Sequence, residues 1–76
     1  MTDPAQAERD FDSTVLRLLL DVNVPWSVEE IVRELQDPDA RDSVARLTSA
    51  GLVNRTGELV FPARAARRAA ELEIAD

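Results

Sequence analysis

The sequence predicts a mainly α fold with one small β-hairpin: an α+β arrangement of three core helices, a two-stranded hairpin and a C-terminal helix. Three observations point to it. Apolar residues recur at helical spacing in successive segments of the first fifty residues. Two short β-prone runs then flank a tight reversal. An alanine-rich stretch follows Pro62. At 76 residues the chain has room for one domain, a polar segment over residues 1–10 and a folded unit over 11–76. A core of this size is marginal, worth roughly 5 kcal/mol or less when it stands alone.

Residues 1–10 are polar, and Asp3-Pro4 either opens a helix early or leaves the segment to fray. From Phe11 the pattern sharpens. Phe11, Val15, Leu18, Leu19 and Val22 fall at i, i+4, i+7, i+8 and i+11, one stripe of a helix. Leu16 and Leu20 lie beside that stripe and widen it, so the helix needs partners on more than one side. Asn23-Val24-Pro25 breaks it. Ser27 and Glu30 then form a Ser-x-x-Glu capping box, with Trp26 and Ile31 at the staple positions. The helix so started runs to about Gln36 with Val28, Ile31, Val32 and Leu35 inward. The staple makes Trp26, the one tryptophan, a core anchor.

A short turn, Gln36-Asp37-Pro38-Asp39, leads to a third helix over residues 38–50. Asp37 can cap it, and Pro38 suits a first helical position, where a missing N–H costs nothing. Ala40, Val44 and Leu47 form its apolar face. Arg41, Asp42, Ser43, Ala45, Arg46 and Ser49 form a small, polar, partly basic opposite face, of the kind a major groove accepts. Gly51 stops the helix. Residues 52–55 and 58–61 pair as a hairpin around Thr56-Gly57. Pro62 ends the second strand, and a helix over 63–74 places Arg64, Arg67 and Arg68 together on one side. Glu71, Glu73 and Asp76 make its end acidic, against the helix dipole.

The chain has no cysteine and no histidine, which excludes disulfides, thiolate metal sites and the commonest general base. Its serines have no histidine to activate them, Glu29 and Glu30 point in different directions on one helix, and Asp37 and Asp39 flank a capping turn. No enzyme, cofactor or metal centre is expected. No apolar run is long enough to span a bilayer and no signal peptide is visible, so a cytoplasmic location is expected by default. All nine basic residues are arginines, and the net charge is −6. The charge is segregated. Residues 1–39 hold ten acids and three arginines, net −7, whereas residues 40–70 hold six arginines and two acids, net +4.

The element order, together with Arg46-Leu47-Thr48-Ser49-Ala50-Gly51-Leu52-Val53-Asn54-Arg55, resembles the winged helix-turn-helix DNA-binding domains of bacterial transcription regulators, the MarR-like and related groups. The pattern looks like the end of a recognition helix passing into the wing, and Pro62 with its arginine-rich helix resembles the helix after the wing. The resemblance covers residues 11–72. It implies a double-stranded DNA-binding transcriptional regulator with helix 38–50 in the major groove and hairpin 52–61 as a short wing. Arg41, Ser43 and Arg46 would then reach toward DNA, and Arg55 and Thr56 would lie at the hairpin. For the two helix arginines the competing expectation is local pairing with Asp37, Asp39 or Asp42. A homodimer through Leu16, Leu20, Leu72 and Ile74 would double the contact area. No membrane and no small-molecule ligand are indicated. The alternative is a protein-interaction winged helix that does not bind DNA, favoured by the acidic total charge and by Glu29, Glu30 and Asp42.

Overall fold

Local start and stop signals set most element boundaries. In the computed structural model, which describes residues 3–21 and 25–74, the order is α1 (Pro4–Asp21), β1 (Trp26–Ser27), α2 (Val28–Leu35), α3 (Ala40–Ser49), β2 (Val53–Thr56), β3 (Leu59–Pro62) and α4 (Arg64–Ile74). Asp3 resolves the open question at the start of α1. Its carboxylate accepts from the Ala5 N–H at 3.2 Å and its carbonyl accepts from the Ala7 N–H at 2.9 Å. Pro4 thus occupies a first helical position and residues 4–10 run into α1 rather than standing apart. Val22 and the Asn23-Val24 break lie outside the described residues.

Both halves of the capping box form at α2. The Ser27 hydroxyl accepts from the Glu30 N–H at 3.1 Å, and the Glu30 carboxylate accepts from the Ser27 N–H at 3.1 Å. That backbone N–H holds the Glu30 carboxyl below the usual carboxylate range. Gln36 ends α2 in the left-handed region at φ 54°, the one non-glycine residue described with positive φ. The expected helix over 38–50 starts two residues late. Asp37 caps the turn instead of the helix: its carboxylate accepts from the Asp39 N–H at 2.9 Å and its carbonyl from the Ala40 N–H at 3.2 Å. Gly51, at φ 79°, closes α3. The Gly51 N–H reaches the Thr48 carbonyl at 3.1 Å and the Leu52 N–H reaches the Leu47 carbonyl at 3.0 Å, the paired bonds of a Schellman end.

The sheet has three antiparallel strands in the order β1-β3-β2, not the two expected. β2 and β3 pair from Val53↔Pro62 to Thr56↔Leu59 across the Gly57-Glu58 loop, so both strands lie one residue later than the expected 52–55 and 58–61 and Thr56 belongs to β2, not to the turn. Positive φ falls on Gly57 alone, at 62°, the first loop position at which a type II′ turn requires glycine. β1 adds Trp26↔Val60 and Ser27↔Leu59. Two residues are too few to show an alternating pattern, so β1 leaves no periodic signal; it exists because β3 offers an edge beside the start of α2.

Val15 and Leu19 of α1, Val28 and Ile31 of α2, Ala40, Val44 and Leu47 of α3, and Val53 and Val60 of the hairpin form one buried cluster. Trp26 packs against it half-buried, at the edge of the core and not within it. α1 and α2 both pack on α3. α4 is held differently. Ala63 donates its N–H to the Leu52 carbonyl at 2.9 Å, and among the described side chains of the helix only Ala66 is buried. Among the described residues no helix is long and apolar enough to cross a membrane.

Candidate nucleic-acid interface

The orientation of α3 follows from its buried stripe. Ala40, Ser43, Val44 and Leu47 are all buried, at i, i+3, i+4 and i+7. Ser43 therefore belongs to the inner face of α3 and is fully covered, not on the outer face where the apolar residues alone had placed it. Its hydroxyl donates to Oδ1 of Asp12 on α1 at 2.5 Å. One turn on, Arg46 grips the same carboxylate with both ends of its fork: Nε to Oδ2 at 2.9 Å and Nη2 to Oδ1 at 2.7 Å. Glu8 stands 3.5 Å from Arg46 Nε.

These contacts set the protonation of the pair. The Arg46 hydrogen bonds hold the Asp12 carboxyl below its ordinary value, burial opposes them, and the Ser43 hydroxyl adds to the lowering. The Arg46 guanidinium is raised in turn, chiefly by its hydrogen bonds with Asp12. Arg46 is thus committed to α1, not to Asp37, Asp39 or Asp42 of its own neighbourhood. Local spacing does not reveal the role of Asp12, because its partners are 31 and 34 residues away in sequence. A signal was nonetheless present. Asp12 lies three residues before Val15 and seven before Leu19, so it falls on the buried stripe of α1, where a carboxylate requires a partner.

The remaining candidates are exposed. Arg41 Nη2 lies 3.7 Å from a Glu29 carboxylate oxygen of α2, with both side chains more than half in solvent. A surface pair of this kind contributes about 0–1 kcal/mol, so Arg41 can leave it for another anion. Arg55 folds over the hairpin turn, Nε donating to the Gly57 carbonyl at 2.9 Å. Thr56 is exposed at the end of β2. The outer face of α3 carries Arg41, Asp42, Ala45, Thr48 and Ser49, all exposed. The five sequence candidates thus divide: Ser43 and Arg46 meet at the α1–α3 seam, Arg41 stands on the outer face, and Arg55 and Thr56 occupy the hairpin. Near the start of α3, a depression of ≈ 430 Å³ is lined by Glu8, Asp37, Asp39 and Asp42, with Phe11 and Arg46 in its wall. Among the described residues no three acidic side chains are grouped to hold a metal ion. No protein-family model matches the chain, and no curated protein or solved structure matches it either.

Proposed function

We propose that this chain is a winged helix-turn-helix module that binds duplex DNA as a small transcriptional regulator, with α3 in the major groove and the β2–β3 hairpin as a short wing. The order α1-β1-α2-α3-β2-β3 with sheet order β1-β3-β2 supports the fold reading. The observation that carries the binding reading is the outer face of α3. It is exposed, free of bulky apolar side chains and flanked by a hairpin bearing Arg55 and Thr56. Arg41 and Arg55 are the cations available to phosphate or guanine. Ser43 and Arg46 act one step back, locking α3 against α1 so that its outer face is held in one orientation.

Fluorescence anisotropy with a labelled mixed-sequence duplex, in low and then physiological salt, tests this. Binding should weaken steeply with salt, and Arg41→Ala or Arg55→Ala should each lower the salt slope by about one. Absence of binding at low salt would overturn the reading. A second reading, a protein-interaction module, is favoured by one feature, the depression lined by Glu8, Asp37, Asp39 and Asp42. It places four carboxylates beside the start of α3, where they repel phosphate and suit a basic protein segment.

A further inference from the structure

α1 has a second side that the core uses only in part, through Leu16. Ser13, Leu16, Arg17, Leu20 and Asp21 fall at i, i+3, i+4, i+7 and i+8, and this stripe faces an open groove of ≈ 600 Å³ between α1 and α4. Leu16, Leu20 and Ala70 supply its apolar lining. Its rim carries two cations, Arg17 and Arg67, and two anions, Asp21 and Glu71. Among the described residues none of these four is in an ion pair, although other arginines of the chain find carboxylates.

The geometry points to a second copy of this chain as the occupant of the groove, packed about a two-fold axis. The argument is the charge layout. A surface that meets its own copy must be self-complementary, with each feature matched by one related through the axis. An apolar strip with equal numbers of cations and anions at its rim meets that condition. Antiparallel apposition of two α1 helices about the middle of the stripe brings Leu16 toward Leu20 of the second copy and Arg17 toward its Asp21, while Arg67 and Glu71 exchange across the same axis. A partner of one charge sign would leave half of the rim opposed by like charge. The contact set differs from the one the sequence suggests. Leu72 is 65% exposed but is two residues, about 200° of helical turn, from Ala70, on the side of α4 away from the groove. The side chain of Ile74 lies outside the described residues. The inference stands independently of DNA binding.

Sedimentation equilibrium across a dilution series tests it with three proteins. Wild type should associate as a dimer. Arg17→Glu with Arg67→Glu makes the rim wholly acidic, and Asp21→Arg with Glu71→Arg makes it wholly basic. Each double variant should self-associate at least about tenfold more weakly. Mixed one to one, the two variants should recover a dimer containing one of each. The substituted groups lie at the surface of helices, and a helical circular dichroism spectrum identifies folded variants. Wild type that remains monomeric at every concentration would overturn the inference. So would double variants that dimerise as wild type does, or a mixture that stays monomeric.

Discussion

The two sides of α1 handle charge in opposite ways. Toward α3, Asp12 is four-fifths covered and has every nearby donor turned on it: the Ser43 hydroxyl and both ends of the Arg46 fork. Toward α4, Arg17 and Asp21 stand at the rim of an open groove with no ion-pair partner among the described residues. The first side joins its helices with apolar contact and a satisfied polar node. The second has apolar lining but leaves its charges unanswered. What separates them is whether the charges are engaged within the chain, and in the proposed dimer a second copy would engage those of the second side.

Truncation of the apolar stripes breaks this contrast most directly. Leu19→Ala should cost about 2–5 kcal/mol, because Leu19 is fully buried and its loss leaves a cavity in the core. Leu20→Ala, at a half-buried site, should cost the monomer about 1 kcal/mol or less. Urea unfolding of the two variants below the concentration of any association measures the difference. Equal losses would show that the groove side is part of the core.

A double-mutant cycle isolates the polar node. Asp12→Ala, Arg46→Ala and the double variant should give a coupling of about 1–2 kcal/mol, since a charged bidentate contact in partial cover is removed in each single change. The same cycle on Arg17 and Asp21, at low protein concentration, should give a coupling near zero. Arg46→Ala also separates structure from recognition. Any loss of DNA binding in that variant should come with a fall in melting temperature, whereas Arg41→Ala should leave the melting temperature nearly unchanged.

The smallest effect is the acid response. A carboxyl whose pKa is depressed on folding adds stability that is fully present above its unfolded value, about 4, and is lost as pH falls through the folded value. Asp12 behaves in this way because Arg46 favours its charged form. The melting temperature of wild type should therefore drop as pH falls below about 4. Asp12→Asn should start lower at neutral pH and fall less steeply over the same range. Parallel curves would show that the node contributes nothing to acid sensitivity.

Much of the fold was legible because its signals are local. Ser27 and Glu30 are three residues apart, Gly51 sits one residue past the cap of α3, and Gly57 lies in a two-residue loop. Each of these is decided by neighbours within a turn; the first two appear where the chain announces them, whereas the reversal falls at Gly57-Glu58, one residue later than the expected Thr56-Gly57. Pro38 was the local signal that misled, since a proline suits the turn before a helix as readily as its first residue. β1 and the Ser43–Asp12–Arg46 node were not legible in this way. β1 depends on an edge formed by a strand more than thirty residues later, and the node joins α1 to α3. Ser43 illustrates the point. A serine in a helix reads as an outer-face residue until the carboxylate that satisfies its hydroxyl is known.

Trp26 gives the molecule a built-in optical reporter. It is the only tryptophan, the chain has no tyrosine, and its ring lies half-buried in β1 beside the capping box of α2 and opposite Val60 of β3. Its indole Nε1 is buried without a hydrogen-bond partner among the described residues. Near-ultraviolet emission from this protein therefore originates at one junction, where the sheet, α2 and the apolar cluster meet. Separation of β1 from β3 would hydrate the indole and move its emission to longer wavelength, while events confined to α4 or to the outer face of α3 would leave the colour unchanged. Intrinsic fluorescence thus follows the opening of the sheet separately from events at the groove and at the candidate DNA surface, without a label.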